Sequence, residues 1–242
     1  IYGFDYHVEN INSALSDYVS YHNRFNDSSE NPLIIEIKKY LHDENRKPIN
    51  GNGGIETIVD NVDNIISFEQ YNKFISSRRS VRSFSKKQVL ESDIRNVVNL
   101  SIKTPSVCNR QGWGVYAYFR REEIDNLLKY QNGNAGFGEE VNCLLVVVGK
   151  SKAFSRFEYN QLYIDGGMFS MSIVNSLHAL GLGSCPLNLC MPYSREVKLK
   201  KLANIKTDER LVMMIAVGHK KNEYIVAKSP RMNAESVLTI NN

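Results

Sequence analysis

An α+β fold is predicted for this chain of 242 residues. Two observations predict it. Apolar residues recur at helical spacing in some segments and gather into short β-branched or apolar runs in others. The two kinds of segment intermix without the strict strand–helix–strand alternation of a parallel sheet. Hydrophobic residues make up 42% of the chain, enough to bury a sizeable core. No apolar run approaches the ~18 residues that a membrane-spanning helix needs.

Taken in order, residues 1–66 are rich in Asn, Asp and Ser and read as an N-terminal helical extension. One helix is predicted from Glu9 to Phe25, with Ile11, Leu15, Tyr18 and Val19 on one face. A second runs from Leu33 to Leu41, aligning Leu33, Ile37, Tyr40 and Leu41. The stretch Asn50–Gly54 is expected to be a loop, because its glycines tolerate positive φ. This extension reads as an arm that packs on the main domain or on a partner subunit. No signal-peptide pattern is evident at the start of the sequence.

From residue 67 to 242 the pattern tightens into a main domain. Ser67 with Gln70 resembles a capping box opening a helix through Ile75. Ser92 is expected to open the next helix, carrying Ile94, Val97, Val98 and Ile102, which must stop before Pro105. Val115–Phe119 is β-branched and aromatic, hence a strand, and Glu122–Tyr130 a helix. Cys143–Val148 is apolar without alternation and so predicts a strand buried on both faces. A long helix spans Glu158–Leu180, closed by Gly181. A helix over Ser194–Ala203 and a buried strand over Leu211–Val217 follow.

Charge narrows the function classes. Thirty basic residues stand against 26 acidic ones, a net charge of +4. With no aromatic-basic signature beside the basic clusters, a nucleic-acid module is not expected. Lys198 with Lys200 and Lys201 reads as a solvated helix face. Cys108, Cys143, Cys185 and Cys190 form no CxxC pair, so reduced thiols and a cytoplasmic setting are expected, with no metal site.

Five segments are candidates for chemistry. Arg78-Arg79-Ser80-Val81-Arg82-Ser83-Phe84 places three Arg within five residues where a helix gives way to extended chain. Guanidinium groups form bidentate, charge-assisted bonds to phosphate, and a Ser hydroxyl adds a contact. The same cluster also reads as a solvated basic helix end. Thr104–Trp113 holds a proline turn followed by amides that can donate and accept toward a heterocycle, or simply a capped turn before a strand. Asp165-Gly166-Gly167 puts two glycines inside a helix at about 1 kcal/mol each, which suggests close approach by another backbone, a flat ring or a partner helix. Gly181–Asn188 is a Gly-rich turn into a short strand, and Lys228-Ser229-Pro230-Arg231 sets two cations around a proline turn. Neither G-x-G-x-x-G nor G-x-x-x-x-G-K-[ST] occurs.

Together and in this order, the five segments resemble the nitroreductase family over about residues 68–232. Arg78 to Phe84 is similar to its opening R-R-S-x-R-x-F. Pro105-Ser106 with Asn109, Gln111 and Trp113 resembles P-S-x-x-N-x-Q-P-W, and Ala179–Ser184 resembles A-x-G-L-G-S. Val217-Gly218-His219 and Lys228–Arg231 resemble its late strand end and terminal cationic motif.

The resemblance implies a central mixed, mainly antiparallel sheet flanked by helices, in an intertwined homodimer with FMN at the subunit interface. By matching position, Arg78, Arg79, Ser80 and Arg82 grip the flavin phosphate and part of the ring, and Lys228 and Arg231 add phosphate contacts. Ser106, Asn109 and Gln111 belong to the same set, with Asn109 and Gln111 presented by the second subunit to ribityl or ring atoms. Pro186, Leu187 and Asn188 line the ring near N5. No protein nucleophile is required. The activity implied is ping-pong transfer from NADH or NADPH through flavin to a nitroaromatic, quinone or related acceptor. The alternatives are a specialised reaction on the same fold (dehalogenation, azoline oxidation, flavin fragmentation) and a non-catalytic interaction module. The sequence departs from the family at Gly112, where Pro is common, and at Asn188-Leu189, where many members have Glu-Gly.

Overall fold

The computed structural model describes residues 4–24, 31–43, 53–54, 58–59 and 66–241. The chain divides into two compact units, Ile1–Ser67 and Phe68–Asn242. In the first, α1 (Phe4–Arg24) and α2 (Pro32–Leu41) form a pair. Asn31 caps α2, its Oδ1 accepting from Leu33 N at 3.0 Å, and Pro32 takes the first helical position, where its missing N–H costs nothing. The buried positions differ from the expected stripes. Asn12 and Ser13 are buried on α1 while Ile11 and Tyr18 are exposed, and on α2 the buried pair is Ile34 and Ile37, with Leu33 and Tyr40 outside. The predicted end of α1 at Phe25 and most of the Asn50–Gly54 loop lie outside the described residues.

The second unit contains α3 (Phe68–Ser77), α4 (Glu91–Ser101), β1 (Trp113–Tyr118), α5 (Arg121–Leu128), β2 (Cys143–Lys150), α6 (Gln161–Ala179), β3 (Leu182–Leu187), α7 (Tyr193–Leu202) and β4 (Glu209–His219). The four strands form one sheet in the order β1-β2-β4-β3, with every neighbouring pair antiparallel. This is the predicted α+β class. β2 is buried along nearly its whole length because both its faces are covered. Leu144, Val146 and Val148 join one cluster with Ile124, Leu127 and Leu199 of α5 and α7. Cys143, Leu145 and Val147 join the other with Phe169, Ile173 and Leu177 of α6. Side chains alternate across a strand, so this central strand stitches the two halves of the core. Trp113 stacks on Phe169 with ring centroids 4.8 Å apart, anchoring the start of β1 on α6.

Two expectations are corrected. α4 opens at Leu90, not Ser92, because Asp93 Oδ2 turns back to accept from Leu90 N at 3.3 Å. Lys200 is buried rather than solvated: its ammonium donates to the carbonyls of Thr207, at 2.8 Å, and Glu209. Gly181 does close the long helix, at φ +84°, donating to His178 O at 3.0 Å.

Candidate functional site

The Arg-rich segment leaves α3 and lies against the free edge of β3. At the end of α3, Ser77 Oγ donates to Phe74 O at 2.8 Å and lies 2.8 Å from His178 Nε2. A hydroxyl has one proton, so with it committed to Phe74 the His178 Nε2–H is the donor of that pair. Burial, together with nearby Lys220 and Arg78, lowers the His178 pKa and favours the neutral ring. Arg79 turns back and donates to the carbonyls of Ser76 and, at 2.8 Å, Arg78, satisfying the end of the helix. Val81 N then donates to Ser184 O at 2.9 Å, and Ser85 N to His219 O at 2.8 Å. Gly183 permits this approach: a Cβ there would stand 3.0 Å from Val81 Cγ1.

This geometry opens a groove of about 960 Å³ between Ile75–Arg82, Met171 of α6 and the stretch Val226–Arg231. Arg78, Arg79, Ser80, Arg82, Lys228 and Arg231 all line it, and none of the described lining residues is acidic. Residues nearly 150 positions apart in sequence thus converge on one cavity. Among the described residues, no hydrogen-bond partner meets the buried Arg78 Nη1. A buried donor without an acceptor is costly to the fold. Cys185 lies close to Arg82 and Arg78; burial pushes its thiol pKa up against the pull of the two cations, which favours the neutral thiol. A smaller groove on the β1 edge, about 390 Å³, mixes Arg120 with Glu122 and Glu123 and has no such bias.

The remaining predicted residues lie elsewhere in the unit. Cys108, Asn109 and Gln111 all adopt left-handed φ, near +50°. Strain of this kind, of order 1–3 kcal/mol per residue, persists only where the surroundings enforce it. Here Ser106 Oγ accepts from Gln111 N at 2.9 Å, so its hydroxyl closes the turn, and Gln111 Nε2 donates to Asn109 Oδ1 at 3.2 Å. Buried Asp165 accepts from Val107 N at 3.3 Å and from Gln161 Nε2 at 2.7 Å. Arg110 bonds Ala153 O at 2.9 Å and Glu158 at 2.8 Å. That pairing, with the N–H of Ser155, pulls the Glu158 carboxyl down to about 2. Gly112 stands where a Cβ would meet Ala153 Cβ and Phe154 ring atoms at 2.8 Å, so a proline there would have to push these side chains aside. At the end of β3, Leu187 turns its side chain into the core, so only its backbone can face a ligand. Pro186 is half-buried, and exposed Asn188 is held through its carbonyl, which accepts from buried Gln131 at 3.1 Å.

Sequence reasoning missed the residues that hold these segments: Glu158, Gln131 and Glu140, whose Oε2 accepts from Phe84 N at 2.8 Å. It saw Asp165 only as part of a glycine-bearing stretch. An Asp inside a long apolar helix, a few residues after Gln161, was the available signal for a buried hydrogen-bond acceptor. Glu140 and Gln131 had no signal, because Phe84 N and Lys221 Nζ on Glu140, and Asn188 O on Gln131, come from segments distant in sequence.

The fold and site thus define a three-layer α+β unit with a groove at a sheet edge whose described lining carries cations and no carboxylate. The chain belongs to the nitroreductase family, whose sequence profile matches residues 75–135 and 120–219. That membership places it among the oxidoreductases. It is 26% identical over 158 residues to a protein of Archaeoglobus fulgidus provisionally named NADH dehydrogenase/NAD(P)H nitroreductase, covering 64% of this chain and 88% of the relative. A provisionally named nitroreductase of Bacillus subtilis shares the fold with a TM-score of 0.63 at 17% identity, over 72% of this chain and 100% of that one. Another from Desulfovibrio desulfuricans, solved in complex with FMN, matches with a TM-score of 0.59 at 20% identity, over 70% and 95% of the two chains.

Proposed function

We propose that this protein is an FMN-dependent oxidoreductase that takes electrons from NADH or NADPH and delivers them to a nitroaromatic, quinone or related small acceptor by a ping-pong route. The convergence of Arg78, Arg82, Lys228 and Arg231 on one acid-free groove, with Arg78 Nη1 buried and unpaired, carries the reading. A phosphate monoester brings close to two negative charges and three acceptor oxygens near neutral pH, which fits that donor set. The Desulfovibrio relative's FMN supports the choice of mononucleotide. Bound FMN would supply reversible two-electron chemistry at its N5.

The protein's own residues bind and orient. Arg78, Arg82, Lys228 and Arg231 hold the phosphate end with Ser80 as an uncharged partner, while Arg79 is largely occupied by the end of α3. Their positive field also favours any bound group that gains negative charge. The loop at Pro186–Asn188, fixed by Gln131, borders the ring.

The working form is proposed to be a homodimer. Ile164, Met168 and Met171 fall at helical spacing on α6 and are 40–52% exposed, beside Gly167, which has no atom within 4 Å of a built Cβ. Met171 also lines the groove, so a second copy seated on this stripe borders it and can present its own Asn109 and Gln111. Four unpaired cysteines suit a reducing, cytoplasmic setting. The test is direct. The full chain is expected to purify yellow, to release FMN on denaturation, and to be bleached by NADH or NADPH and restored by a quinone. A colourless protein that ignores added FMN overturns the reading.

A further inference from the structure

We propose that Glu140 is a positioning residue of the phosphate groove, one carboxylate that sets the spacing between its two cationic arms. The inference rests on the flavin reading above and adds a residue to it. Glu140 ends a 3-10 turn, Gly138–Glu140, just before β2. Its Oε2 accepts from Phe84 N at 2.8 Å, and its Oε1 takes Lys221 Nζ at 2.8 Å. Phe84 lies two residues beyond Arg82 on the first arm. Lys221 opens the stretch that leads to Lys228 and Arg231 on the second.

The turn is a rigid post. Phe137 is buried beneath it, and Arg121 reaches from α5 to donate to the carbonyls of Gly138 at 3.1 Å, Glu139 at 3.0 Å and Val141 at 2.8 Å. The first arm has other ties, through the bridges Ser80–Ser184 and Phe84–Lys220. Pairing of the second arm to the sheet ends at Lys220. Among the described residues, Lys221–Glu140 is the one ion pair that reaches 221–233. Lys221 and the Phe84 N–H hold the Glu140 carboxyl below the usual carboxylate range. Glu140 does not line the groove, so it organises the cations without neutralising them. Fixing converging donors in advance lowers the ordering cost of binding, and that benefit falls on the phosphate alone.

FMN and riboflavin, which differ by that phosphate, therefore separate positioning from general support. The full chain is titrated with each flavin by fluorescence. Glu140→Gln keeps an oxygen for Phe84 N and loses the Lys221 pair. It is expected to weaken FMN by about twofold to fivefold, in line with a half-exposed ion pair, and to leave riboflavin affinity unchanged. Glu140→Ala, which loses both bonds, is expected to weaken FMN further. Lys221→Met should match Glu140→Gln, and the double variant should add nothing. Equal losses of FMN and riboflavin, or no loss of either, overturn the proposal while the flavin reading stands. Wild-type protein that binds neither flavin, or both equally well, overturns the phosphate groove itself and the positioning role with it.

Discussion

Arg78 is the residue whose structural cost and functional value point in opposite directions. Among the described residues its buried Nη1 meets no acceptor, which is a liability to the fold; under the proposed function a phosphate in the groove would make it a charge-assisted donor. Replacing it separates the two. Arg78→Met keeps the apolar stem and removes the charge. The unliganded variant is expected to unfold at the same temperature as wild type or higher, because an unpaired buried charge is gone. FMN affinity should fall by about 30-fold, the equivalent of ~2 kcal/mol for one charge-assisted contact. Thermal unfolding with and without FMN reads both effects at once. A variant destabilised without flavin yet binding it normally would show that Arg78 serves the fold and not the site. Arg79 sits beside it in sequence but spends its guanidinium on the carbonyls of Ser76 and Arg78, so its substitution should act mainly through α3.

Among the elements, the turn from Ser106 to Gly112 holds three residues at left-handed φ and depends on outside bonds to stay there. Arg110–Glu158 is the charged one. Glu158 is depressed to about 2 in the fold, so its contribution is fully present above the ordinary carboxylate value near 4.5. It is lost as pH falls from there toward 2. Wild type should therefore exceed Glu158→Gln in stability at neutral pH, and the gap should close across that acid window. Denaturant midpoints at a series of pH values check this, and a gap independent of pH would assign the effect to packing. The same turn shows what could be read in advance. Its composition announced a turn and its motif a site, but the left-handed backbone depends on Asp165, Glu158 and Ala153, which lie 43 to 58 residues away in sequence. β2 was legible because an apolar run without alternation has one physical meaning when it is short. Lys200 was not, because a lysine in a basic helix looks solvated until the carbonyls of Thr207 and Glu209 fold over it.

For the whole molecule, the Phe68–Asn242 unit carries an exposed apolar stripe on α6, Ile164, Met168 and Met171 among the described residues. The α+β class and the cationic motifs were readable from periodicity and residue type, whereas the groove exists only because β4 and β3 carry the two ends of the unit to one sheet edge. The proposed homodimer seats a second copy on that stripe, and this can be tested. Ile164 is central to it, 52% exposed and free of the core, so Ile164→Glu should fold normally as an isolated chain. In a dimer seated on this face, the substitution places a desolvated, unpaired charge at the interface, at a cost of several kcal/mol. Sedimentation should then show a monomer. If Asn109 and Gln111 reach the groove from the other copy, the monomer should also hold FMN more weakly than wild type, although no groove residue has changed. Wild type and variant sedimenting alike as dimers would move the interface to another face. A monomeric variant with undiminished FMN affinity would instead place the whole cofactor site within one chain, since the phosphate cations are already together there.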